Sequence, residues 1–85
     1  MKKNYTVRQG SAGGELMDRR GVEGMLSGSA WSADVTDRDG RRTQYLEGGP
    51  GEQGRLTDTL RRMPRTGEGL EIISGGRILT VSVLG

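Results

Sequence analysis

Near its C-terminal end, residues 69–84, the chain reads GLEIISGGRILTVSVL, two β-prone runs joined by an adjacent pair of glycines. This stretch constrains the fold more than any other. A two-residue hairpin turn needs positive φ at both central positions, which Gly75 and Gly76 supply at little steric cost. Placing the turn there fixes a register: Ile73 opposite Ile78, Ile72 opposite Leu79, Glu71 opposite Thr80 and Leu70 opposite Val81. Side chains alternate along a strand, so one face of the hairpin gathers Leu70, Ile72, Leu79, Val81 and Val83. The other gathers Glu71, Ile73, Ile78, Thr80 and Ser82. One dry face and one mixed face are expected of an antiparallel pair lying on a core.

Two further segments can build that core. In Ala30–Glu47, Asp37-Arg38-Asp39-Gly40 supplies turn chemistry between alternating runs. A three-residue loop, Arg38-Asp39-Gly40, sets Asp37 opposite Arg41, Val35 opposite Thr43 and Ala33 opposite Tyr45. That register segregates apolar from polar side chains and places Trp31, Ala33, Val35, Thr43 and Tyr45 on one face. After the breaker Gly48-Gly49-Pro50-Gly51, the segment Glu52–Met63 carries Leu56, Leu60 and Met63 at helical spacing and is closed by Pro64. This is the one main helix that the sequence predicts, and its stripe is the expected lid for the dry face of the C-terminal hairpin. Tyr5–Gln9 alternates as a first strand. Ser11 is placed to cap a short helix over Glu15–Arg20, and Val22–Ser27 reads as a strand or extended connection.

The expected fold class is therefore α+β. It is a small antiparallel-rich sheet of two hairpins plus an N-terminal strand, with one main helix (52–63) on one face, ferredoxin-like or related. The chain has 85 residues, which predicts a single small domain spanning 1–85. Hydrophobic residues make up 31%, so the core is lean, and a homodimer would bury apolar area that a monomer leaves wet.

Composition narrows the chemistry. Histidine and cysteine are both absent. That removes the usual base near neutral pH, the Ser-His-Asp and Cys-His nucleophile systems, disulfides, and zinc sites built on His or Cys. Asp37-x-Asp39-Gly40 echoes part of a calcium loop, but Val35 and Leu46 stand where ligands would be required. No catalytic residue and no metal or cofactor is assigned. No apolar run is long enough to span a membrane, and Lys2-Lys3 is not followed by an apolar segment, so a cytoplasmic location and no membrane partner are expected.

Two sets of binding residues follow. The cations are mostly arginine, and Arg38, Arg41, Arg42, Arg61, Arg62 and Arg65 are the candidates for an anionic partner, since guanidinium pairs in bidentate fashion with phosphate or carboxylate. Trp31 and Tyr45 beside them could act as a stacking platform for nucleic acid. Alternatively, Gly49-Pro50-Gly51-Glu52-Gln53-Gly54 fits G-x-G-x-x-G between a strand and a helix, making Gly49, Gly51, Gly54 and Arg55 a candidate phosphate loop. The same sequence lacks the Lys and Ser/Thr of a nucleotide P-loop.

The stretch Arg20-Gly21-Val22-Glu23-Gly24-Met25-Leu26, with Gln44-Tyr45-Leu46-Glu47-Gly48 downstream, resembles the BLUF flavin-binding light sensors. The resemblance implies a flavin contact at Gln44 and a partner tyrosine at Tyr5. The long first helix of that family, with its flavin-binding Asn, has no counterpart here, and what is shared is a βαββαβ-like order. The reading favoured by the whole sequence is a non-catalytic binding or regulatory module. It would act through surface contacts with a protein or nucleic-acid partner, with Ile73, Ile78, Trp31 and Tyr45 as candidate interface residues. The alternative is a phosphate-, nucleotide- or flavin-binding domain built on Gly49–Arg55.

Overall fold

In the computed structural model, which describes residues 5–10, 13–26, 28–62 and 68–84, the chain forms one six-stranded sheet with two helices. The elements in chain order are β1 (Tyr5–Gln9), β2 (Glu15–Met17), α1 (Arg19–Leu26), β3 (Trp31–Thr36), β4 (Arg42–Gly48), α2 (Gln53–Arg61), β5 (Gly69–Ser74) and β6 (Arg77–Val83). The strand order is β2-β1-β6-β5-β3-β4. Every neighbouring pair is antiparallel. The expected small α+β fold with an antiparallel sheet is thus present, with six strands in an order that does not by itself confirm the ferredoxin-like detail.

The C-terminal hairpin sits at the centre of this sheet in the expected register, with Ile73 paired to Ile78, Ile72 to Leu79 and Leu70 to Val81. Gly75 and Gly76 take φ of 55° and 76°. β1 adds to the outer side of β6, pairing Val7 with Val81. β3 adds to β5, pairing Ala33 with Ile72. At Gly69 the backbone of β6 comes so close that a Cβ would collide with the Val81 carbonyl, so glycine is required there.

Both helices cover the same face. Leu56 and Leu60 of α2, with Val22 and Leu26 of α1, are buried in one cluster with Leu70, Ile72, Leu79, Val81 and Val83. The lid predicted from Leu56 and Leu60 is present; Met63 and Pro64 lie outside the described residues. The short helix expected over Glu15–Arg20 lies instead at Arg19–Leu26, nearly as long as α2. Residues 15–17 are a strand and not the start of a helix; Ser11 lies outside the described residues, and Asp18 caps α1, its Oδ1 accepting from the Gly21 N–H at 2.9 Å. Val22 and Leu26 then fall at i and i+4 on a helix, where an extended connection had been expected. Glycines at 21 and 24 hide this helix from a propensity argument, and burial of its two aliphatic side chains outweighs their cost of about 1 kcal/mol each. Arg77 closes its far end, donating from Nη2 to the Met25 carbonyl at 2.8 Å. No helix among the described residues is long and apolar enough to cross a membrane.

Candidate functional site

With both helices on one side, the opposite face of the sheet is uncovered among the described residues. Alternation brings to it Thr6 and Arg8 from β1, Leu16 from β2, Ile78, Thr80 and Ser82 from β6, and Glu71 and Ile73 from β5. Ser32, Asp34 and Thr36 of β3 and Arg42, Tyr45 and Glu47 of β4 complete it. Its large apolar groups stand in water: Ile73 is 51% exposed, Ile78 54%, Tyr45 59% and Leu16 54%. Ile73 and Ile78 are directly paired across the two central strands. Arg42 lies 3.7 Å from both Asp34 and Glu71, and the Tyr45 hydroxyl donates to Glu47 at 3.1 Å.

The expected pairing of Trp31 with Tyr45 is not found. The three-residue loop forms as expected: Asp37 accepts from the Asp39 and Arg41 N–H groups at 2.9 Å each, its own N–H reaches the Arg41 carbonyl, and Gly40 takes φ of 83°. Beyond it a β-bulge shifts the register between Val35 and Thr36. Thr43 is left without a ladder partner, and its hydroxyl donates to the Val35 carbonyl at 3.3 Å. One extra residue inverts every side chain that follows. Ala33 therefore faces Leu46, Asp34 faces Tyr45, and Trp31 faces Gly48. Trp31, 3% exposed, is core beneath the helices, while Tyr45 stands on the uncovered face. Of the four candidate interface residues, Ile73, Ile78 and Tyr45 share that face and Trp31 does not. No aromatic platform of Trp31 and Tyr45 exists.

The arginines divide into groups. Arg42 is tied to the two carboxylates on the uncovered face. Arg55 donates to the Glu47 carbonyl at 2.8 Å, and Gln44 lines a cleft together with Arg62. Thus α2 runs back along β4 toward the β3–β4 turn, bringing Arg61 and Arg62 to the end of the molecule that carries Arg38 and Arg41. Arg61 pairs with Asp58 at 3.7 Å. Arg65 lies outside the described residues.

The glycine loop is closed by its own acid. The Glu52 Oε1 accepts from the Gly49 N–H at 2.7 Å, the Glu52 N–H donates to the Gly49 carbonyl, and Gly51 takes φ of 86°. The Arg55 guanidinium is held by the loop's own acid, 3.5 Å from Glu52, and lies 5.9 Å from the Trp31 ring centroid. The Glu52 carboxylate thus occupies a donor that an incoming phosphate would use, and Gly54 sits inside α2. Tyr5 and Gln44 are not neighbours, because β6, β5 and β3 lie between their strands. Among the described residues, no three acidic side chains cluster as a metal site would require.

Two features escaped the sequence reading. Thr57 is buried and its hydroxyl donates to Glu23, joining the two helices. The outer edge of β4 and the flank of α2 enclose a cleft of about 240 Å³ lined by Gln44, Leu46, Arg55, Asp58, Thr59 and Arg62. The helix residues recur at i, i+3, i+4 and i+7, a spacing visible in the sequence once β4 is known to be their neighbour.

No protein-family model, curated protein or solved structure matches this chain.

Proposed function

We propose that the protein is a small non-catalytic binding module that works as a homodimer, two copies meeting through the uncovered faces of their sheets. The observation that carries this reading is the Ile73–Ile78 pair, half in water at the centre of a sheet whose other face is fully packed. Covering such a pair recovers on the order of 1–3 kcal/mol per side chain.

The charges on the face favour a second copy as the occupant. Arg8 lies on the β1 side of the central hairpin, and Asp34, Glu47 and Glu71 lie on the β5–β3–β4 side with Arg42 among them. A two-fold axis in the plane between the sheets, running along the β5–β6 boundary, sets Ile73 of one copy over Ile78 of the other. It also carries Arg8 toward Asp34 and Glu71 of the second copy. A self-complementary patch of this kind is what an isologous interface needs. Among the described residues, two arginines against three carboxylates give the face the wrong sign for a phosphate backbone, which favours protein over nucleic acid as its partner.

Six strands at about 4.8 Å span roughly 24 Å, and the rows extend roughly 17 Å along the strands, a flat footprint of about 400 Å² per copy. Two such footprints total about 800 Å², below the roughly 1,200–2,000 Å² of a stable specific interface, so the dimer is expected to be weak and to exchange with monomer at micromolar or higher concentration. The internally satisfied Gly49–Glu52 loop supports a non-catalytic reading over a phosphate- or flavin-binding one.

Sedimentation equilibrium tests the proposal. The 9.2-kDa chain should sediment at about twice that mass at high concentration, and Ile73→Thr/Ile78→Thr should shift it to monomer while matching the wild-type melting temperature at dilutions where the wild type is itself monomeric. A wild-type protein that stays monomeric at the highest soluble concentration would sink the reading.

A further inference from the structure

The two edges of the sheet are unlike. β2 offers three residues, a blunted edge, whereas β4 offers seven and has no strand beyond it among the described residues. A long unpaired edge is ordinarily protected or used. Here it runs beside the cleft formed with α2, and the charge there is basic. Asp58, the one acid of the lining, pairs with Arg61 at 3.7 Å. Arg62 faces the space, while Arg55 is paired with Glu52 at 3.5 Å and donates to the Glu47 carbonyl of the edge at 2.8 Å, so an incoming strand competes with both contacts for it. Gln44 and Thr59 add neutral hydrogen-bonding groups between them.

We propose that this edge and cleft bind an acidic peptide in extended conformation, which pairs with β4 as a seventh strand and turns carboxylates toward Arg55 and Arg62. Seven residues of helix separate the two arginines by about 10.5 Å, between the roughly 7 and 13 Å that separate carboxylates two and four residues apart on one face of a strand, so the long guanidinium side chains must take up about 3 Å. Main-chain pairing supplies affinity without regard to sequence, and the arginines select for acid at alternate positions. The site is independent of the uncovered face, because sheets that meet face to face leave the β4 edges free.

The structure also supplies the readout. Arg55 stands 5.9 Å from the ring centroid of Trp31, the one tryptophan in the chain, so a carboxylate that draws on Arg55 alters the surroundings of the indole. The full-length protein is titrated with acetyl-TEVEVET-amide, following Trp31 fluorescence, and hydrogen exchange is measured on the complex. Saturable binding is expected, with slowed exchange of amides in Arg42–Gly48. Arg62→Ala, on an exposed residue, should weaken binding about tenfold, and acetyl-TKVKVKT-amide should not bind. Acetyl-TEVPVET-amide should lose most of the affinity, because proline cannot donate to the ladder. Equal affinity for the proline peptide would leave charge attraction alone and overturn strand addition, as would unchanged exchange in β4. Oligothymidylate that displaces the acidic peptide and binds more tightly would assign these arginines to nucleic acid and overturn the proposal. Failure of these arms with dimerisation intact removes the peptide site only; loss of the dimer with peptide binding intact removes only the face-to-face reading.

Discussion

Gly48 lies directly beneath the indole of Trp31: a Cβ placed on it would fall 2.5 Å from Cζ2 and 2.8 Å from Cε2 of the ring. The two residues are ladder partners, and the missing side chain lets the ring lie across β4 toward Arg55. The ring is core and the strand backbone is held by β3, so neither can yield freely. Gly48→Ala should therefore destabilise by about 1–3 kcal/mol, the usual cost of overpacking. Gly54→Ala is the control. Gly54 lies in α2 with open space where a Cβ would go, so alanine there should stabilise by about 0.4–1 kcal/mol. Urea denaturation followed by Trp31 fluorescence should move the two midpoints in opposite directions. A Gly48→Ala midpoint at the wild-type value would mean that the ring can slide aside.

Arg77 links the central hairpin to α1 at a point where the helix would otherwise leave a carbonyl unpaired. Its guanidinium donates to the Met25 carbonyl at 2.8 Å in a half-buried setting. Arg77→Ala should cost on the order of 1–2 kcal/mol, because a charge-assisted bond is lost and the helix end is left to water. Arg77→Lys should recover only part, since the ammonium lacks the guanidinium fork. Hydrogen exchange locates the effect: amides in Arg19–Leu26 should exchange faster in Arg77→Ala, while those of β5 and β6 change least. Uniform acceleration across the sheet would show that Arg77 supports the whole fold and not the helix end.

The contrast between the two hairpins explains how much of this architecture could be read in advance. At Gly75-Gly76 the turn type is dictated by two positive φ values, and every pair from Ser74–Arg77 to Leu70–Val81 follows from it. The Arg38–Gly40 loop was equally legible, and Asp37 pairs with Arg41 as expected. The bulge at Thr43 was not. Nothing local distinguishes an alternation that continues from one that slips, and the slip is decided by packing: it puts Leu46 toward the core and Gly48 under Trp31. The uncovered face inherits this. Ile73 and Ile78 could be placed on it from the C-terminal hairpin alone, while Tyr45 and Trp31 could not be assigned without the bulge. The strand order was also out of reach, because β1 joins β6 and β3 joins β5 through contacts distant in sequence. The β4–α2 cleft depends on that order and on α2 running back along β4. In α1 two glycines mask a helix whose reason for existing is the burial of Val22 and Leu26.

Among the described residues, the two helices are joined by one buried polar contact, Thr57 to Glu23. Thr57 is 1% exposed and has a single hydroxyl proton, for which the Gly54 carbonyl at 3.2 Å is the more distant acceptor. Thr57→Val keeps the shape and removes the donor, leaving the Glu23 carboxylate facing an apolar group. A cost of about 1–3 kcal/mol is expected, the usual penalty for a half-buried acceptor that loses its partner. Thr57→Ser keeps the hydroxyl and loses a methyl, for about 1 kcal/mol. Glu23→Gln keeps an acceptor oxygen and should cost less than Thr57→Val. The decisive measurement is the double-mutant cycle between Thr57→Val and Glu23→Ala, with stability read by urea denaturation. Coupling of about 0.5–3 kcal/mol is expected for residues in direct contact. Additive effects would mean that the helices are held by Leu26, Leu56 and Leu60 alone and that the hydroxyl contributes nothing to their docking.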